Sequence, residues 1–149
     1  MDQLLPAILI ISLVTASFLF IQRKPKRKLN LNLSYIDPFT LDQLKFPLIT
    51  STPTLDLSII IPAFNETKRL PKMLNETIDY LKKRKLIHKE FSFEMIVVDD
   101  GSLDKTSFTA IQWAKKNNVK ELKVLTLEEN CGKGGAVTRV YSLISLNIP

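Results

Sequence analysis

The sequence is short of the residues that cross-link small proteins. It has one cysteine, Cys131, and one histidine, His88. An internal disulfide is excluded, and so is a metal site built from clustered Cys and His. Glycine is scarce as well: of four glycines, three fall in "NCGKGGA", Asn130 to Ala136. Charge of one sign is missing at each end. No lysine or arginine precedes Arg23, and no aspartate or glutamate follows Glu129. Apolar residues are not lacking. At 45% hydrophobic and 24% charged, the 149 residues exclude a disordered composition and suffice for one small domain with a tail.

Gln3 to Gln22 is a run of 20 residues without a charge, and its core reads "LLPAILIISLVTASFLFI". About 20 helical residues span a hydrocarbon core of ~30 Å. Pro6 falls in the first turn, where a helix tolerates it. "RKPKRK" follows, with five cations in six positions. A cleaved signal peptide carries its charge before the apolar run, so the reversed order predicts an uncleaved signal-anchor over residues 1–22. The excess of cations after the run puts the rest of the chain in the cytoplasm and suits anionic headgroups. Residues 23–55 hold Pro25, Pro38, Pro47 and Pro53 without sustained periodicity, and read as a basic juxtamembrane segment and stem.

Residues 56–149 alternate apolar runs with helical periodicity. "LSIII", Leu57 to Ile61, reads as a buried strand closed by Pro62. Leu70, Met73, Leu74, Thr77, Ile78 and Leu81 recur at helical spacing. Asn65 or Thr67 is expected to cap that helix, with Pro71 in its first turn. "KKRK", Lys82 to Lys85, complements the helix dipole, and is read as a solvated face and not a nucleic-acid patch. "FEMIVV", Phe93 to Val98, is a second strand. A helix capped by Ser102 or Asp104 runs to about Asn117, with Phe108, Ile111, Trp113 and Ala114 as its apolar stripe. "LKVLTL", Leu122 to Leu127, is a third strand, and another helix is expected from near Gly135. This order predicts right-handed crossovers and a parallel sheet covered on both faces.

In such sheets ligands bind beyond the carboxyl ends of the strands. Three clusters occupy those positions: "PAFNE" from Pro62, "DDGS" from Asp99 and "ENCGKGG" from Glu129. "PAFNE" suits either a turn with an Asn cap or recognition of a base or ribose through Glu66 and the backbone. Asp99 and Asp100 are adjacent, so an extended backbone sends them to opposite sides and gives them different tasks. One bonds to neighbouring backbone while the other faces a ligand; a carboxylate can accept the imide N–H of uracil. A helix start through an Asp-Gly turn explains either one alone equally well. Around Lys133, Gly132, Gly134 and Gly135 allow close backbone approach, and the lysine offers charge to a phosphate. The stretch is neither a Walker loop, since Leu127 stands where the first glycine belongs, nor a dinucleotide fingerprint, since Val137 replaces the last.

Taken together and in this order, the three clusters resemble the start of an inverting family-2 glycosyltransferase of the GT-A fold. "FPLITSTPTLDLSIIIPAFNETKRLPKML", "FEMIVVDDGSLDKTS" and "NCGKGGAVTR" resemble the dolichyl-phosphate β-glucosyltransferase branch of that family. The sibling dolichyl-phosphate mannosyltransferases usually show a different glycine loop. The resemblance implies the Rossmann-like, parallel-sheet nucleotide-binding half of a GT-A fold, preceded by one transmembrane helix. It implies transfer of glucose from UDP-glucose to dolichyl phosphate at the cytoplasmic face of the endoplasmic reticulum membrane, for protein N-glycosylation. The residues it assigns to the nucleotide-sugar are Pro62, Ala63, Asn65, Glu66, Asp99, Asp100, Gly101, Lys133 and Gly134. It also implies a divalent cation, Mg or Mn, held by an Asp-x-Asp motif beyond the glycine loop. With no acid after Glu129, the motif is absent and no catalytic residue is assigned. The expectation is therefore a truncated domain over residues 56–149, inactive by itself. The competing expectation from another class is a non-catalytic, membrane-anchored fragment that binds UDP.

Overall fold

The computed structural model describes residues 34–46, 52 and 54–145. The expected anchor at residues 1–22 and the cluster at Arg23 to Lys28 lie outside them. Among the described residues, no helix is long and apolar enough to cross a membrane. The elements are β1 (Ser34–Ile36), β2 (Gln43–Lys45), β3 (Leu57–Ala63), α1 (Leu70–Ile87), β4 (Phe93–Asp99), α2 (Thr106–Asn117), β5 (Leu122–Thr126) and α3 (Gly132–Ser145).

The sheet is mixed, in the order β2-β1-β5-β4-β3. The expected parallel unit is present: β3 pairs with β4 from Leu57↔Phe93 to Ala63↔Asp99, and β4 pairs with β5 from Met95↔Leu122 to Asp99↔Thr126. The expectation of a wholly parallel sheet is corrected at the other edge. There the β1–β2 hairpin, from the segment read as stem, adds antiparallel to β5 through Ile36↔Val124. Three-residue strands are too short to show a period, which is why the sequence hid them.

Strand alternation divides the core in two. Phe93, Met95 and Val97 face one side, where Leu70, Leu74, Ile78 and Leu81 of α1 and Ala110, Trp113 and Ala114 of α2 cover them. Ile96 and Val98 face the other side, against Ala136 and Val140 of α3. Both faces are thus covered, as the strand pattern predicts. Val97 and Leu74 are 0% exposed; truncating a buried leucine to alanine costs about 2–5 kcal/mol. Trp113 is core as expected, and its indole N–H donates to Asn75 Oδ1 at 2.8 Å.

Local details differ from expectation. Pro62 lies inside β3 and does not close it; β3 is an edge strand, where a residue without N–H is tolerated. Arg69 occupies the N-cap of α1 without a side-chain cap, so neither Asn65 nor Thr67 caps it. The backbone carbonyl of Glu66 accepts the N–H groups of Arg69 and Leu70. Lys105 is the N-cap of α2, not Ser102 or Asp104. The first N–H groups of that helix instead reach Asp104 Oδ1 and Asp99 Oδ2. Phe108 is exposed, and buried Thr106 and Ala110 join the inward stripe. Finally, α3 begins at Gly132, so the glycine stretch is the first turn of a helix and not a loop before one.

Candidate functional site

At the carboxyl end of the sheet the last ladder bonds run from Asp100 N to the Ala63 carbonyl at 2.8 Å, joining β4 to β3, and from Leu127 N to the Asp99 carbonyl at 2.8 Å, joining β5 to β4. Beyond them the two aspartates separate along the alternation of β4. Asp99 continues the Met95–Val97 side and meets the start of α2. Its Oδ1 accepts Ser102 N at 2.9 Å, and its Oδ2 accepts the N–H of Ser107 at 3.1 Å and the Ser107 hydroxyl. Ser107 in turn bonds to the Thr126 hydroxyl at 2.8 Å. Asp100 continues the Ile96–Val98 side and meets the start of α3, where its Oδ1 accepts Cys131 N at 2.7 Å. Both carboxylates are buried, at 3% and 2% exposure, so these donors offset the cost of removing charge from water.

A cavity of about 180 Å³ opens between β3, the end of β4 and the first turn of α3. It is lined by Pro62, Ala63, Phe64, Glu66, Asp100 and Lys133. Five residues singled out from sequence therefore converge on one space, although Glu66 and Lys133 are 67 positions apart. Phe64 was missed. It is a half-exposed aromatic (42%) on the cavity rim, and an exposed aromatic beside a carboxylate is a platform on which a base can stack. An aromatic directly after a strand was the available signal, but an aromatic in that position more often packs inward.

Four of the singled-out residues do not line the cavity. Asn65 adopts φ 54°, its N–H donates to Ser102 Oγ at 2.9 Å and its Oδ1 accepts Leu103 N at 2.9 Å. Asn tolerates this left-handed conformation better than most residues. Asp99 serves the α2 side as described. Gly101 has φ 70°, and a Cβ there would sit 2.9 Å from Asn130 N. Gly101 thus lets the loop after β5 press against the loop after β4. Gly134 lies in the first turn of α3, and a Cβ there would meet nothing within 4 Å. At Gly135 a Cβ would sit 2.7 Å from Cys131 Cβ, so that glycine lets the first turn of α3 close over Cys131.

The loops after β3 and β4 are tied together. Glu66 N donates to Thr106 Oγ1 at 2.9 Å, and the Thr67 hydroxyl donates to Asp104 Oδ2 at 2.6 Å. The Thr106 hydroxyl also donates to Asp104, at Oδ1, and together with the Thr67 hydroxyl it holds the Asp104 carboxyl below its ordinary value of 3.8. Glu66 forms a two-point pair with Arg69, at 2.7 Å to Nε and 2.6 Å to Nη2. The cavity therefore combines an aromatic rim, a buried carboxylate, a carboxylate balanced by an arginine, and one lysine. Lys133 stands in the first turn of α3, where the helix dipole favours an anion; the N–H groups just before it, of Cys131 and Gly132, donate to Asp100 and Asn130.

The description "Glycosyl transferase family 2" belongs to the family model that matches residues 58–144. The chain is 43% identical over 104 residues to a dolichyl-phosphate beta-glucosyltransferase of Drosophila melanogaster, covering 70% of this chain and 32% of that protein. It is 47% identical over 91 residues to the Mus musculus protein of the same name, covering 61% of this chain and 28% of that one. The chain thus spans less than a third of the length of these curated relatives. A solved mannosyltransferase from Pyrobaculum calidifontis, in complex with GDP-Man and Mn2+, superposes with a TM-score of 0.44 at 24% identity, over 64% of this chain and 26% of that one.

Proposed function

The chain belongs to glycosyl transferase family 2, and we propose that it provides the nucleotide-binding part of a dolichyl-phosphate β-glucosyltransferase, with UDP-glucose as donor and dolichyl phosphate as acceptor. The observation that carries this reading is the convergence of Phe64, Glu66, Asp100 and Lys133 on one cavity at the carboxyl ends of the strands. The relatives' shared name supports the acceptor and the sugar.

In this reading uracil stacks on Phe64 and its imide N–H donates to Asp100. The Asp100 carboxylate has one oxygen engaged by Cys131 N, which orients the group toward the cavity. Glu66, held by Arg69 and by the Thr106 contact to its own N–H, receives ribose hydroxyls. Glycosyl transfer develops positive charge on the sugar and negative charge on the departing diphosphate. Lys133 and the dipole of α3 stabilise that leaving charge. The acceptor phosphate is already ionised near neutral pH and needs little help from a general base.

The family resemblance also implies Mg2+ or Mn2+. Among the described residues, no three His, Cys, Asp or Glu side chains form a group able to hold a metal ion. Glu66 is engaged by Arg69, and Asp100 by Cys131. These residues, so engaged, do not fit a metal. The 149-residue polypeptide is expected to bind UDP through these residues.

Calorimetric titration with UDP tests the binding. Asp100→Asn keeps an oxygen for Cys131 N–H but loses the acceptor for the imide. A hydrogen bond to a charged group contributes about 1.5–3 kcal/mol, so UDP affinity should fall roughly 10- to 100-fold. An unchanged affinity would remove Asp100 from the site. For location we propose the endoplasmic reticulum membrane with the folded part cytoplasmic. The charge order around Gln3 to Gln22 supports this. The sequons at Asn65 and Asn75 should then stay unmodified; glycosylated peptides in mass spectra of the expressed chain would reverse the orientation.

A further inference from the structure

Next to the cavity, on the α1–α2 side, lies a second and wider hollow of about 700 Å³. Lys68, Arg69, Leu103 and Lys105 are among its lining residues. Leu103 forms its tip and is 93% exposed. Phe108, in the first turn of α2, is 56% exposed. The acids nearby offset part of the positive charge: Asp104 stays ionised and Glu66 is paired, so Lys68, Arg69 and Lys105 leave the rim net positive by about one charge. Asp104 accepts from Thr67 and Thr106, and Glu66 is paired with Arg69. Lys68 and Lys105 are exposed, with no ion pair to another described residue.

A protruding leucine flanked by lysines gains from contact with an anionic bilayer surface. There the side chain leaves water while the ammonium groups stay among phosphates. We propose that the rim formed by Lys68, Leu103 and Lys105 is a docking surface for anionic phospholipid. It would hold the mouth of the cavity against the membrane.

The same chemistry recurs at the opposite pole. Leu86 and Ile87 at the end of α1 are 80% and 77% exposed, beside Lys82, Lys83, Lys85 and Lys89. A bilayer docked there would turn the cavity away from a lipid-borne acceptor. The choice between the poles therefore rests on the proposed function. Leu103 shares its pole with the cavity; Leu86 does not.

The test uses the 149-residue chain reconstituted in phosphatidylcholine vesicles with and without phosphatidylserine. In a Cys131→Ser background, an environment-sensitive fluorophore is attached at Leu103→Cys or, separately, at Leu86→Cys. Both positions are exposed, so neither substitution disturbs the core. The expected result is a blue shift at position 103 and quenching by nitroxide-labelled lipid, both stronger with phosphatidylserine. Lys68→Glu with Lys105→Glu should abolish them, and position 86 should remain water-like. A water-like label at 103, a lipid signal at 86 instead, or insertion at 103 indifferent to phosphatidylserine and to the charge reversals would each overturn the proposal. UDP titration on the unlabelled chain in the same vesicles separates the two readings. UDP binding with a water-like 103 defeats the docking surface alone. A lipid-inserted 103 without UDP binding leaves the docking surface standing and defeats the nucleotide reading.

Discussion

The two sides of the sheet's carboxyl end are built differently. On the α1–α2 side, Asp99, Asn65, Thr67, Asp104 and Thr106 tie the loops after β3 and β4 into one bonded unit. On the α3 side, Asp100 reaches the glycine turn through one hydrogen bond, to Cys131 N. The first turn of α3 carries Lys133 and a glycine with open space around it. The first side spends its polar groups on holding backbone; on the second, Asp100 and Asn130 take the N–H groups of Cys131 and Gly132, and Lys133 lines the cavity. Adjacent aspartates of equal burial thus differ in purpose because strand alternation sends them to different sides.

The contrast is broken most severely at Asp99. Asp99→Ala removes the acceptor for Ser102 N, Ser107 N and the Ser107 hydroxyl. Orphaned buried donors cost about 1–3 kcal/mol each, so a loss of roughly 3 kcal/mol is expected in urea unfolding. Asp100→Asn, by contrast, should change unfolding by less than about 1 kcal/mol and act on ligand affinity. Equal destabilisation by the two substitutions would erase the distinction between the sides.

Glycine substitutions sharpen it. Gly132 has φ 74°, and alanine there should cost about 1–2 kcal/mol. Gly134 is helical with open space at its Cβ position. Gly134→Ala should therefore stabilise the unliganded chain by about 0.5–1 kcal/mol while weakening UDP binding where ligand approaches that backbone. Thermal unfolding with and without UDP reads both effects.

The smallest effect concerns acid. The Asp104 carboxyl is held below 3.8 by hydrogen bonds from Thr106 and Thr67. At the opposite pole the Asp56 carboxyl is held low by Ser92 N–H and hydroxyl donors. A depressed folded-state value contributes stability above the unfolded value, and that stability is lost as pH falls through the folded one. Both groups are fully exposed, so the contribution is slight. Below about pH 4, Asp104→Asn should flatten the acid limb of the unfolding curve, and Asp56→Asn should do the same at the other pole. A limb identical to the parent protein would place the acid sensitivity elsewhere.

Much of the fold was legible because long apolar strands and a strict helical period leave few alternatives. Leu57–Ala63, Phe93–Asp99 and Leu122–Thr126 sit where their β-branched runs lie, and Leu70, Leu74, Ile78 and Leu81 face inward as their spacing requires. What was hidden had no such period. The β1–β2 hairpin is too short to declare itself. Lys123 Nζ lies 4.6 Å from the Tyr35 ring and 2.6 Å from Glu94 Oε2, so it links β1 across β5 to β4. That Glu94 oxygen has the ion pair but no aligned hydrogen bond among the described residues. A contact between residues 35, 94 and 123 is invisible to any local pattern.

The amino-acid sequence by itself determined the parallel βαβαβ core, because burying apolar strands between helices requires that order of elements. It also put three chemically marked clusters after three strands. Only the tertiary structure decided which members of those clusters meet. The choice of α2 as the partner of Asp99 and of α3 as the partner of Asp100, the start of α3 at Gly132 and the turn at Gly101 bring Phe64, Glu66, Asp100 and Lys133 to one cavity. The same geometry commits Asn65 and Asp99 to the wall. The physical reason is that local propensity sets where a strand ends, whereas the direction of each side chain beyond that end depends on which helix packs against which face.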